Sequence, residues 1–370
     1  MQHFYTFLHL CIINPNVLKT LLVMRPEYLN LAIIEMTQFC NLHCVHCYNH
    51  TYATEQGSYK KAFRLLEHLI RQTTVKRITF TGGEPCISER FTEIVLHAKL
   101  QQKRVTIITN GNGPTEVYRQ LAKMKVDMME FSIHSSSPKI HDRIARVTGA
   151  FEKAIGNMRL MQESGVKVTP VIVVTSLNYD DVLATVRFFH QQGIHSIMVN
   201  RFNLGGEGLN HPSLPANVTQ LQATFRQLND YAEKNGINIF SGVCTPYCLL
   251  NPDDYPFIRF GACSSDVYKR PLTFDLDGNL RLCNHSPVIV GNIYKQSLAE
   301  IFSNHYLSEW DDLDIAFCKG CKRLPECKGG CRAASEQMGY SLKKEDPIVR
   351  TLNILPLHHS YEKSNLQVFV

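Results

Sequence analysis

Cys40, Cys44 and Cys47 are spaced C-x3-C-x2-C and follow directly on the apolar run Leu31-Ala-Ile-Ile-Glu-Met36. Such a run reads as a short strand, so the thiols belong to the loop at its end. A loop this short can wrap one corner of an iron–sulfur cube and ligate three of its four irons. The fourth iron then keeps an open position, which separates a catalytic metal site from a structural one. Zinc, with His43, His46 or His50 as fourth ligand, is the competing reading, although zinc sites usually pair one C-x2-C with a second.

At 370 residues the chain exceeds one ordinary domain, and a large domain plus a smaller one is expected. A hydrophobic fraction of 44% and a charged fraction of 19% are those of a soluble globular protein. The formal charge of +6 is mild and gives no electrostatic case for nucleic acid. Thirteen cysteines would suggest disulfides in a secreted chain. No secretory signal supports that compartment. The apolar stretch Met1 to Met24 is interrupted by His9, Asn14-Pro15-Asn16 and Lys19, lacks a cleavage site, and is too broken to span a membrane. A cytoplasmic protein whose clustered cysteines bind metal is therefore expected, with Cys11 a small buried residue.

Strand and helix signals alternate from residue 31 to about 243. Apolar runs at Leu31–Met36, Arg77–Thr81, Val105–Thr109, Met128–Ile133, Val166–Val174 and Ser196–Val199 read as strands. Amphipathic stretches separate them, at Tyr59–Arg71, Ser88–Gln102, Thr115–Lys125, Phe151–Glu163, Tyr179–Gln192 and Asn217–Lys234. Six successive βα units imply a parallel sheet, open or curled into a partial barrel, with chemistry on the loops after the strands. Several of those loops carry suitable residues: Thr81-Gly-Gly-Glu-Pro85, Thr109-Asn-Gly-Asn-Gly113, Ser132-Ile-His134 and Asn200 to Gly208. Gly82 and Gly83 allow close backbone approach. Glu84 could accept from a cationic amine, and Ser132 could meet a ribose or cap the strand.

The cysteine loop after strand one, with Gly-Gly-Glu-Pro after strand two, resembles a radical S-adenosylmethionine (SAM) enzyme. The resemblance implies a [4Fe–4S] cluster on Cys40, Cys44 and Cys47, with SAM chelating the open iron. One electron then cleaves SAM to methionine and a 5′-deoxyadenosyl radical, which takes a hydrogen atom from the substrate. It also implies that Gly82, Gly83 and Glu84 meet the SAM amino group and Ser132 its ribose. His46 holds the place of an aromatic residue that packs near adenine. Ala145 stands where related enzymes carry an arginine for the SAM carboxylate, which leaves Arg143 and Arg146 as candidates.

The second half has its own cysteine field, with eight between residues 244 and 331, after which none follows. Together with Pro246, Pro252 and Pro256 they mark a small metal-stapled domain, zinc or iron–sulfur by spacing alone. The pattern Cys318-x2-Cys321-x5-Cys327-x3-Cys331 is similar to the SPASM domain. That likeness implies a first auxiliary cluster on Cys263, Cys283, Cys331 and an upstream cysteine, Cys248 or Cys244. A second would use Cys318, Cys321 and Cys327, completed in the family by a cysteine in Asp-Pro-x-Cys. Here Asp346-Pro-Ile-Val349 has valine, so the second cluster is expected to borrow Asp346 or a histidine, keep an open iron, or be absent.

The resulting expectation is an α/β protein, a partial (β/α)6 TIM-like barrel followed by a small cysteine-rich iron–sulfur domain. Its parts are an N-terminal extension (1–29), a radical SAM core (30–243), a SPASM domain (244–350) and a tail (351–370). Its resemblance implies an oxidoreductase modifying a ribosomally made peptide by crosslinking or oxidation, with one or two auxiliary [4Fe–4S] clusters and a flavodoxin- or ferredoxin-type reductant. A small metabolite such as a tetrapyrrole or carbohydrate is the alternative substrate, and a silent iron–sulfur or zinc scaffold the alternative class. Sulfatase maturation is disfavoured, because the maturases' aspartate base after the cysteine equivalent to Cys283 is here Asn284.

Overall fold

A computed structural model of the chain describes residues 27–49, 57–264 and 266–354. Cys11, His50, most of the N-terminal extension and the tail from residue 355 lie outside the described residues.

The first six strands are β1 (Leu31–Glu35), β2 (Arg77–Thr81), β3 (Arg104–Thr109), β4 (Met128–Ser132), β5 (Lys167–Val174) and β6 (Ser196–Arg201). They pair in sequence order and in parallel. Helices α1 (Tyr59–Gln72), α2 (Phe91–Leu100), α3 (Thr115–Lys123), α4 (Pro138–Ala145), α5 (Ala150–Glu163), α6 (Val182–Gln191) and α7 (Val218–Asn235) cross between them. Each helix buries one stripe. In α1 the stripe is Ala62, Leu65, Leu66 and Leu69, the i, i+3, i+4, i+7 positions that fall on one face. Ile78, Phe80, Ile107 and Phe131 from the sheet meet these stripes in a single core.

Two further parallel strands, β7 (Asn238–Ser241) and β8 (Ile258–Phe260), extend the sheet beyond the six expected. At four and three residues they give too little periodicity to be read from sequence. At the other edge β1 pairs with β9 (Thr273–Phe274), again in parallel. A hairpin of β9, β10 (Asn279–Arg281) and β11 (Gly291–Asn292) completes an eleven-stranded sheet ordered β11-β10-β9-β1 through β8. The Arg281 guanidinium forms an ion pair with buried Glu35 at the end of β1. Cysteines of the later short segments line one cavity with Thr81, Thr109, Ser132 and Arg201 at the strands' carboxyl ends. Among the described residues, no helix is long and apolar enough to cross a membrane.

Candidate active site

The cysteine loop is held from both sides. Thr37 Oγ1 accepts the Phe39 N–H at 2.9 Å and the Gly57 N–H at 3.1 Å, turning the chain off β1. The His43 and Val45 amides donate to the Ala145 and Ile144 carbonyls at the end of α4, and Leu42 packs on Ala145 and Ala150. Cys40, Cys44 and Cys47 thereby stand half-buried and reduced on the wall of a cavity of about 490 Å³. Burial pushes the Cys40 thiol up to about 11, and Cys44 higher, with neighbouring thiolates adding to the effect. Clustered thiols under such strain suit a cationic metal group, which binds by displacing their protons.

The glycine loop after β2 lies against this one, backbone to backbone. The Gly83 and Glu84 amides donate to the Thr37 and Phe39 carbonyls at 2.7 and 3.0 Å. A Cβ on Gly83 would lie 2.1 Å from the Phe39 oxygen; one on Gly82, whose φ is +133°, would lie 2.3 Å from the Thr37 oxygen. Both glycines line the cavity. Glu84 corrects the sequence reading. It is fully buried, does not line the cavity, and accepts from Thr109 Oγ1 (2.7 Å), the Asn110 amide (2.7 Å) and the Cys86 amide (2.9 Å). Its carboxylate ties the loops after β2 and β3 together rather than waiting for an amine.

Ser132 lines the cavity at the end of β4. Arg146 does not. It closes α4 with φ +56°, places Nη1 3.0 Å from Glu207 Oε1 and Nη2 2.8 Å from His211 Nε2. His46, before Cys47, does line the cavity, its ring edge-on to His134 at 4.3 Å, and His134 stacks on His141 at 5.8 Å. Burial holds His46 and His141 neutral, down to about 4 each, and lowers His134 well below the ordinary value. Among the described residues His46 Nδ1 has no hydrogen-bond partner, a buried polar edge suited to a heteroaromatic ring.

Glu130 is the residue that sequence reasoning missed. It lies two positions before Ser132 on β4, hence on the same face, and lines the cavity. Desolvation pushes its carboxyl up to about 7. The available signal was one acid inside the otherwise apolar Met128-Met-Glu-Phe131.

Four more thiols, Cys244, Cys263, Cys283 and Cys331, line the same cavity. Trp310 Nε1 donates to Cys263 Sγ at 3.3 Å and Asn203 Nδ2 to Cys331 Sγ at 3.2 Å. Arg332 is buried nearby, its Nη2 spent on the Asp312 and Leu342 carbonyls and its Nε and Nη1 without partners. A buried guanidinium held only by carbonyls calls for an anion. Cys263 supplies part of that demand, and a cluster ligated by thiolates would supply more.

Cys248 does not join that group, contrary to the first option drawn from sequence. It lines a second, apolar recess with Cys318, Cys321 and Cys327. Its thiol is pushed up to about 12 by burial and then by Cys327 and Cys318, whereas Cys244 interacts with Cys263, Cys331 and Cys283. Among the described residues no three His, Cys, Asp or Glu side chains converge as ligands of a single ion would; the thiols instead line the walls of the two cavities.

Residues 34–189 match the Radical SAM superfamily, and residues 263–331 match an iron-sulfur cluster-binding domain, SPASM. A PqqA peptide cyclase of Granulibacter bethesdensis is 22% identical over 348 residues, covering 90% of this chain and 89% of that one. The mycofactocin maturase MftC of Mycobacterium tuberculosis is 25% identical, covering 85% and 81%. The fold is similar to that of Streptococcus suis SuiB bound to its precursor peptide SuiA (TM-score 0.67, 17% identity, 86% and 75% of the two chains).

Proposed function

We propose, for a chain that belongs to the radical SAM superfamily and carries a SPASM iron–sulfur domain, the modification of a ribosomally made peptide by hydrogen abstraction. One observation carries the reading: a single cavity is lined both by the three-cysteine loop and by four further thiols. That arrangement supports a substrate held between two redox groups. A relative named as a peptide cyclase, another named as a mycofactocin maturase, and a fold shared with a protein solved with its precursor peptide favour a peptide as the occupant.

In this reading Cys40, Cys44 and Cys47 hold a [4Fe–4S] cluster, Gly82, Gly83, Ser132 and His46 surround SAM, and two auxiliary clusters sit on the other cysteine groups. The core runs to residue 243 and the cluster-bearing module from 244 to 350. When bound, the cluster and SAM supply a carbon radical that removes a hydrogen atom from the substrate. The chain's own part is to seat the peptide between the cysteine groups and to take a proton. Glu130 lines that cavity with a carboxyl group balanced near neutrality. Asn284, which also lines the cavity, cannot accept a proton there. A flavodoxin- or ferredoxin-type protein would deliver the electron.

The experiment is anaerobic incubation of reconstituted, reduced protein with SAM and a short peptide encoded beside its gene. Formation of 5′-deoxyadenosine together with loss of hydrogen mass from the peptide is expected, and Cys40→Ala abolishes both. Turnover of a small metabolite with an unchanged peptide would replace the substrate class; no 5′-deoxyadenosine above the Cys40→Ala control would leave a scaffold.

A further inference from the structure

The Asp346-Pro-Ile-Val349 segment lacks the cysteine that would complete a fourth thiol for Cys318, Cys321 and Cys327, and the structure shows what became of that corner. Val349 still lines the recess the three thiols share. Cys248 lines the same recess. Resting on the radical SAM and SPASM reading above, we propose that the second auxiliary cluster is held by four thiolates, Cys248, Cys318, Cys321 and Cys327, the fourth ligand having moved from position 349 to position 248.

The other candidates for that corner are occupied or elsewhere. Asp346 is 1% exposed and does not line the recess. Its Oδ2 meets Arg201 and the Cys331 amide, and its Oδ1 caps the next helix through the Ile348 amide at 3.1 Å. Glu345 lines the recess, but its carboxylate is paired with Arg350. No histidine is among the lining residues.

The segment before Cys248 is shaped to deliver it. The Leu249 and Leu250 amides both return to the Pro246 carbonyl at 2.9 and 3.1 Å, closing a turn that buries both leucines. Inside that turn the Tyr247 amide points at Cys327 Sγ from 3.4 Å, and Arg323 stacks over the Tyr247 ring at 4.9 Å. Cys244, one turn earlier, is fixed to the other thiol group, with Arg201 Nη2 donating to its carbonyl at 2.8 Å. Two thiols four residues apart thus serve two different clusters. A cube with four thiolates has no open iron, so this cluster relays electrons and does not chelate substrate.

The test compares wild type with Cys248→Ser, Cys244→Ser and the double variant Cys248→Ser/Val349→Cys, each reconstituted and read by iron and sulfide content, Mössbauer and EPR spectroscopy. Wild type is expected to hold about twelve irons, three cubes' worth. Cys248→Ser alters or loses one cube, leaving a three-iron EPR signal on oxidation or about eight irons. Adding Val349→Cys restores that cube from another lining position of the recess. Cys244→Ser changes a different set of signals. Full iron with spectra unmoved by Cys248→Ser would overturn the ligand assignment alone. A wild type with only about eight irons would overturn the second auxiliary cluster itself, and with it the wider reading of this module.

Discussion

Glu130→Gln separates proton transfer from hydrogen abstraction, and its cost can be worked from the site. Burial alone raises the carboxyl from 4.5 to about 7. A raised carboxyl favours the folded state below the unfolded pKa and loses that advantage as pH rises through the folded one. At 1.36 kcal/mol per pH unit the full penalty above neutrality is about 3 kcal/mol, and near pH 6 it is still about 2 kcal/mol. Glutamine carries no such penalty, so Glu130→Gln should be the more stable protein, by a margin that grows by roughly 1 kcal/mol between about pH 6 and pH 9. Urea midpoints of the cluster-loaded proteins at the two pH values read this directly. In turnover, 5′-deoxyadenosine release persists in the variant while peptide product falls by roughly 10²–10⁴-fold. The wild-type product rate climbs through about pH 7 and the variant's stays flat. Equal stability at high pH, or product formation undiminished, would refute the reasoning.

Other substitutions probe the frame. Removing one partner of the fully buried Arg201–Asp346 pair, as in Asp346→Leu, should cost about 3–5 kcal/mol in urea melts. Arg201→Met/Asp346→Leu should recover much of that loss, because no lone charge is left in the interior. Gly83→Ala forces a Cβ against the Phe39 carbonyl at 2.1 Å; the protein should fold by circular dichroism yet lose about four irons, those of the Cys40 loop. Glu84→Ala strips three donors of their acceptor and should destabilise by about 2–4 kcal/mol without shifting the pH profile of product formation.

The six long strands and the loops at their ends were legible because short apolar runs recur between amphipathic stretches and end in glycine-rich or polar segments. The strands of two to four residues were not. Glu84 shows a subtler limit. An acid beside two glycines advertises ligand binding, yet its partners Thr109 and Asn110 lie 25 and 26 residues away, visible only once β2 and β3 pair. Cys244 and Cys248 differ by one turn, and spacing along the chain cannot say which recess each faces; the return of two amides to the Pro246 carbonyl decides it. Asp346 looked available as a ligand because Arg201, its partner, is 145 residues distant.

Strand β1 has neighbours on both sides, β2 and β9, and the second comes from the module that follows residue 243. The strand that launches Cys40, Cys44 and Cys47 therefore borrows its outer rail from the half that carries the second cysteine field, with the Leu272 carbonyl accepting the Ile33 amide at 2.9 Å. Stripped of that rail, β1 becomes an open edge with unpaired amides and carbonyls directly upstream of Cys40. The three-cysteine loop and the later cysteine field thus share one seam: the backbone upstream of Cys40 is paired on both sides only once the segment around Leu272 has folded back against it.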